Sequence, residues 1–270
     1  MDFLQAIIIA IVEGLTEYLP VSSTAHMIFT SAFFGNQQDE FIKMYQVSIQ
    51  FGAILAVVFL YWKKFFDLNN LKFYLKLAVA VIPALLLGKL FDDKIEAVLG
   101  DPVPIAIMLI VGGVVLLFID TWFKNPKIDE EKQVSYKSAF IIGLWQCLAM
   151  MPGTSRSAAS IIGGMQQNLT RKAAAEFSFF LAVPTMLAVL VYSIFMKEWN
   201  VEGNPMMGYD LLMLDNNLML FLGGSLIAFV VAVIAIKFFI GVLTKYGFKP
   251  WGWYRILVGI ALLIYFTQFQ

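Results

Sequence analysis

The chain has 270 residues, of which 60% are hydrophobic and only 14% charged, against about a quarter charged in ordinary soluble domains. A water-soluble surface cannot be built from that alphabet, and 19 basic residues balance 19 acidic ones, so no net field points to nucleic acid or to a polybasic membrane attachment. One Cys and one His exclude an internal disulfide and a His/Cys metal cluster, which leaves any metal to carboxylates.

At the N-terminus Asp2 stands before a short apolar run with no basic residue. The charged n-region of a cleavable signal is therefore missing, and Met1 reads as the true beginning. Residues 3–35 form an apolar stretch broken midway by Pro20 and the hydroxyls of Ser22, Ser23 and Thr24. Nearly charge-free segments follow at 44–62, 71–91 and 102–119, each close to the ~20 residues that a spanning helix needs. A second broken stretch covers 138–166, and segments 177–196, 216–236 and 250–270 bring the full crossings to six. Lys76, Lys89 and Arg255 read as lying near segment ends, where long side chains reach the interface.

The two broken stretches resemble each other. EGLTEYLPVSSTAH runs from Glu13 to His26 and GLWQCLAMMPGTSRS from Gly143 to Ser157. Gly14-Leu15 matches Gly143-Leu144, Glu17 matches Gln146 and Leu19 matches Leu148 at an offset of 129; Pro20, Ser22 and Ser23 match Pro152, Thr154 and Ser155 at 132. Val111-Gly112 and Leu116-Leu117 recur as Val258-Gly259 and Leu263-Ile264. The pattern predicts an all-α polytopic membrane protein built as a tandem repeat, about 1–125 and about 135–270, in one membrane domain. Each half holds one re-entrant helix hairpin and three transmembrane helices, and that odd number of crossings inverts the second half relative to the first. Such folds place their sites near the bilayer midplane, where broken helices meet.

Basic residues set the orientation. Loops 63–76, 120–137, 166–172 and 237–250 alternate as one set and hold thirteen Lys and Arg; the other set holds Lys43, Lys89, Lys94 and Lys197. The first set reads as cytoplasmic, which puts both termini outside. The loop from Lys197 to Asp215, with Glu198, Glu202 and Asp210, is acidic and suits the outer face.

Glu13 and Glu17 are four apart, so their carboxylates share one helix face. Central acidic residues cost roughly 2.5 to 3.5 kcal/mol each on insertion scales, so the pair calls for a proton, a cation or a basic partner. Pro20 ends that half-helix, and Ser22, Ser23 and Thr24 open the next, a helix N-terminus whose free N–H groups suit phosphate. Ser23 and His26 share a face at i and i+3, the spacing of a hydroxyl nucleophile and an imidazole acid or base. In the second half Arg156 stands where Thr24 stands in the first, in a charge-free stretch that needs an anion; phosphate, Glu13 or Glu17 would each serve.

Together these motifs resemble the undecaprenyl-diphosphate phosphatase family of the bacitracin-resistance type, and the resemblance runs the whole chain. The family's acidic pair is matched by Glu13 and Glu17, and its Ser-Ser-Thr-Gly-His stretch by Ser22 to His26, with Ala25 in place of Gly, a change that stiffens entry into the second half-helix. Its Pro-Gly-x-Ser-Arg-Ser-x-x-Thr signature is matched from Pro152 to Ser157, with Ser160 keeping the final hydroxyl.

The resemblance implies hydrolysis of undecaprenyl diphosphate to the monophosphate, recycling the carrier lipid of the cell wall with Mg2+ or Ca2+. It implies Glu17, Ser23, His26 and Arg156 as catalytic residues. Ser22, Thr24, Gly153, Thr154, Ser155, Ser157 and Ser160 would bind substrate, and Glu13 and Glu17 the metal. Either Ser23 or a water attacks, with His26 or Glu17 handling the proton. A lipid-phosphate transporter or flippase is the alternative that an inverted repeat invites. A phosphohistidine phosphatase needs two His and finds one. The partners expected are a polyprenyl diphosphate lipid and the bilayer of the bacterial inner membrane, with no nucleic acid, a homodimer left open, and a site on the outer, periplasmic side.

Overall fold

The computed structural model describes residues 1–35, 39–67, 69–99, 101–201 and 203–268. The side chains of Lys89 and Lys94, and all of Glu202, lie outside the described residues.

Local chemistry sets the element ends. Asp2 caps α1 (Phe3–Thr16) in a reciprocal box with Gln5. Pro20 lies beyond the end of α1, and α2 (Ser23–Phe33) starts anew behind Ser22, whose Oγ accepts from the Ala25 N–H. Asp39 caps α3 (Glu40–Leu60), and the short α4 (Trp62–Phe65) leads to α5 (Leu71–Leu99) and α6 (Pro102–Trp122), the last capped by Asp101 with Pro at its start. After a 3₁₀ turn (Glu131–Gln133), α7 (Tyr136–Gln146) decays into a second 3₁₀ turn (Cys147–Met150) before α8 (Arg156–Gln166). Then come α9 (Arg171–Phe195), a strand pair, α10 (Gly208–Leu212), α11 (Asn217–Tyr246) and α12 (Lys249–Gln268).

Among the described residues six helices are long and apolar enough to cross a bilayer, α3, α5, α6, α9, α11 and α12, and they fall on the six segments expected. Their packing has the polarity of a membrane protein. On α11 the outward ladder is Leu222, Leu226, Val230, Ile234 and Phe238, all exposed, while the buried face carries Gly224, Ala228, Ala232 and Ala235. Large apolar groups face lipid and small ones face protein, because association inside a bilayer relies on close backbone approach rather than on hiding apolar surface from water. Gly14 of α1 sits against the Ala228 carbonyl of α11, and Gly143 of α7 against the Ala80 carbonyl of α5; a Cβ at either would overlap that oxygen. By the same rule α3 packs on α11 and α9 on α5, while α6 pairs with α12 and α3 with α9.

The four basic loops come together at one end. Lys64 pairs with Glu131, Lys76 Nζ donates to the Lys132 carbonyl (2.7 Å), and Asp120 takes Arg171 Nε (2.6 Å) and the Phe248 N–H (2.9 Å). Lys76 thus reaches the loop side as its position suggested.

Two expectations need correction. Arg255 does not reach an interface: it is fully buried and points inward. The fold is not purely α, since within the loop after Lys197 β1 (Glu198–Val201) pairs antiparallel with β2 (Asn204–Met207), Glu198 opposite Met207. Trp199 anchors the pair, buried with its Nε1 donating to the Ser193 carbonyl at 2.9 Å.

Candidate active site

Both broken stretches turn at a serine in the left-handed region, Ser22 at φ 69° and Ser155 at φ 75°. Such conformations are strained for a residue with a Cβ, and each is held by a cap: the Ser22 hydroxyl takes the Ala25 N–H and the Ser155 hydroxyl the Ala158 N–H. This shared geometry moves the match between the halves by one residue. Ser22 corresponds to Ser155, so Arg156 stands at the place of Ser23, not of Thr24, each being the first residue of its 11-residue helix.

Those two first residues meet on one carboxylate. Ser23 Oγ donates to Glu17 Oε2 at 2.6 Å, and Arg156 Nη2 donates to Glu17 Oε1 at 2.8 Å. All three are buried. Arg156 Nη1 is fixed on the Ser178 carbonyl (3.1 Å), while its Nε has no partner among the described residues. Glu13, one turn before Glu17, is fully buried beside Glu17, Ser23 and Arg156, and neither of its oxygens has a hydrogen-bond partner among the described residues. Thr154 Oγ1 is buried and unpartnered as well.

Backbone donors complete the arrangement. The N–H groups of Ser23 and Thr24 in α2, and of Arg156 and Ser157 in α8, are first-turn donors that a helix leaves without an internal acceptor. Ser157 Oγ ties the two turns by donating to the Leu19 carbonyl at 2.9 Å and lies 3.0 Å from Ser155 Oγ. Thr24 is half-buried beside Ser23.

Among the described residues the His26 ring is held by groups other than Ser23. Its Nδ1 donates to the Ser22 carbonyl (2.8 Å), which leaves Nε2 to accept from the Tyr254 hydroxyl (2.9 Å), and the two rings stack 5.7 Å apart. The group against Ser23 is Glu17. Ser160 also lies off the turn: fully buried, its Oγ donates to the Arg156 carbonyl (2.8 Å) and sits 2.6 Å from Ser178 Oγ, bracing the segment that carries Arg156. Ala25 stands in the regular first turn of α2, so entry into that helix is not restricted there; the strained residue is Ser22. The counterpart of Glu17, Gln146, is neutral and donates to Thr185 Oγ1 at 3.2 Å, so the site is acidic on one side only.

Sequence reasoning missed Tyr254, Ser178 and the inward course of Arg255. A signal existed for the last: a charge six residues into an apolar segment, in a chain where Gly112-Gly113 opens room opposite.

The family model for "Bacitracin resistance protein BacA" matches residues 6–261. The chain belongs to that family. It is 51% identical over 264 residues to the Undecaprenyl-diphosphatase of Flavobacterium psychrophilum, covering 98% of this chain and 96% of that one. Against the proteins of the same name from Porphyromonas gingivalis and Bdellovibrio bacteriovorus the identity is 45% over 284 residues and 44% over 266, each with 98% and 96% coverage. Membership in the BacA family thus spans both turns, from the acidic pair to Tyr254 and Arg255.

Proposed function

We propose that this protein hydrolyses undecaprenyl diphosphate to undecaprenyl phosphate and inorganic phosphate, recycling the carrier lipid for cell-wall synthesis. The observation that carries the reading is the Glu17 carboxylate, gripped by Ser23 on one oxygen and Arg156 on the other inside an apolar shell. Three of those groups are what phosphoryl transfer asks for: a hydroxyl, a base in contact with it, and a guanidinium able to exchange its carboxylate for phosphate oxygens. The names carried by the relatives point to the same substrate.

In this mechanism the terminal phosphate lies between the N-termini of α2 and α8, whose N–H groups and dipoles receive its oxygens. Ser23 Oγ, or a water in its place, attacks the terminal phosphorus while Glu17 takes its proton, and the bond to the bridging oxygen breaks to release the lipid monophosphate; where Ser23 attacks, a water then cleaves the Ser23–phosphate bond, releasing inorganic phosphate and restoring the hydroxyl. Arg156 steadies the negative charge through its free Nε and the Nη2 that it withdraws from Glu17. His26, oriented by its Nδ1–H on the Ser22 carbonyl, presents Nε2 to Tyr254, whose ring and hydroxyl position it toward the substrate.

Glu13 fits a divalent cation. Among the described residues no three His, Cys, Asp or Glu side chains form a metal cluster, yet a buried carboxylate without a partner beside a second carboxylate and a hydroxyl is the hard-oxygen set that Mg2+ takes when phosphate and water supply the rest. Glu13 and Glu17 would hold Mg2+ or Ca2+, which when bound neutralises diphosphate charge.

The halves are an inverted repeat. The supporting pattern is an exchange: α1 and α3 pack on α11 as α7 and α9 pack on α5, while α6–α12 and α3–α9 map onto themselves. Gly14 and Gly143, matched in the sequence, make equivalent contacts in the two halves. With the basic loops cytoplasmic, the hairpin carrying Glu13 to His26 enters from outside, so the site takes lipid diphosphate at the outer leaflet of the inner membrane.

Phosphate release from a C55 lipid diphosphate by the purified protein tests the function, and release of none overturns it. In sealed membrane vesicles an impermeant chelator is expected to stop release in right-side-out preparations and spare inverted ones; the reverse pattern would reject the outward assignment. Tyr254→Phe should slow release about fivefold, since the lost hydrogen bond is worth about 1 kcal/mol. Wild-type kinetics there would show that Tyr254 only packs on His26.

A further inference from the structure

Arg255 is fully buried near the start of α12 and pairs with no carboxylate among the described residues. It is held instead by five backbone carbonyls, one for each of its five N–H donors. Nε donates to Leu109 (3.2 Å), Nη1 to Pro20 and Thr154 (both 3.0 Å), and Nη2 to Met108 (3.1 Å) and Gly153 (2.7 Å). Two of these carbonyls belong to α6, one to the turn between α1 and α2, and two to the turn before α8. Gly112 provides the room, since a Cβ there would overlap Nη2.

The peptides it grips decide which way others face. Among the described residues no peptide bond is cis, and in a trans peptide the carbonyl and the next N–H point in opposite directions. With the Thr154 carbonyl drawn onto Arg255, the Ser155 N–H is turned away from it, at the strained residue that opens α8 immediately before Arg156. The Pro20 carbonyl is drawn in likewise, two residues before the strained Ser22. One planar cation therefore fixes both turns to each other and to α6.

We propose that Arg255 is the positioning residue of the reaction, setting the backbone of both turns so that Ser23 and Arg156 converge on Glu17 and on the transferring phosphate. The inference rests on the phosphatase reading. It predicts a defect in the chemical step, because misplacement by about 1 Å costs about 100-fold in rate while the lipid tail still binds.

The test compares purified wild type with Arg255→Gln, Arg255→Lys and Gly112→Ala, measuring phosphate release from a C55 lipid diphosphate, the folded fraction and the melting temperature. Per folded molecule, Arg255→Gln should lose about 100-fold in kcat with KM within threefold. Arg255→Lys should recover part of that, since an ammonium keeps the charge but offers three donors from one point. Gly112→Ala, which keeps Arg255 and displaces its guanidinium, should show the same fall in kcat. Unchanged kcat per folded molecule, or a loss confined to KM, would overturn the positioning role even in an active enzyme. Failure of all three variants to fold would make Arg255 a purely structural residue and overturn it too. A wild type that releases no phosphate removes the phosphatase reading first, and the inference with it.

Discussion

Glu17→Gln is expected to reduce phosphate release by about 10³-fold or more, within the range that a general base contributes, while the protein still inserts. The amide is isosteric: its oxygen can still accept from Arg156, and its NH2 can donate to a Ser23 hydroxyl turned round to accept, so the two half-helices keep their meeting point. What disappears is the negative charge: the hydroxyl of Ser23 loses the base 2.6 Å away, and Arg156 loses its counter-ion. Leaving a buried guanidinium without its carboxylate destabilises by about 3–5 kcal/mol, so a lower melting temperature should accompany the loss. Added phosphate or substrate, by supplying an anion to Arg156, should restore part of that stability. Full turnover in the purified variant would remove Glu17 from the chemistry.

Arg156→Lys should lose about 10³-fold in kcat, at the low end of what an arginine contributes to phosphoryl transfer. A lysine can still neutralise Glu17, which is why the variant separates the two tasks of this residue. It cannot span the Ser178 carbonyl and the Glu17 carboxylate with the same planar group, nor present a third donor where Nε lies unpartnered. Steady-state kinetics over a range of lipid concentrations read the result: a fall in kcat is expected, and wild-type kinetics would reduce Arg156 to an ion-pair partner.

Much of this was legible in the sequence because a bilayer makes polar residues conspicuous. Glu13, Glu17 and Arg156 stood out in apolar stretches, and the six long spans follow from length and lack of charge alone. What stayed hidden depends on direction rather than composition. Hydropathy cannot say that Arg255 points inward, since a residue five or six positions from a segment end is compatible with either course. Helical spacing put His26 on the side of Ser23, yet the Ser22 carbonyl and Tyr254, 228 residues away, claim its ring. The one-residue error in matching the halves arose because a left-handed serine is spelled like any other; only its dihedral pairs Ser22 with Ser155. The strand pair escaped because Glu198–Val201 alternates over only four residues and its partner, with Pro205, does not alternate at all.

The seating of α1 against α11 has a consequence for biogenesis. With 14 residues α1 is too short to cross the bilayer on its own, and the surface that receives Gly14, around Ala228, leaves the ribosome long after it. The carboxylates of α1 gain Arg156 first and their helical neighbour only when α11 follows. The N-terminal hairpin must therefore wait at the membrane edge or be shielded by the insertion machinery, and the site can be assembled only after α11 has been translated.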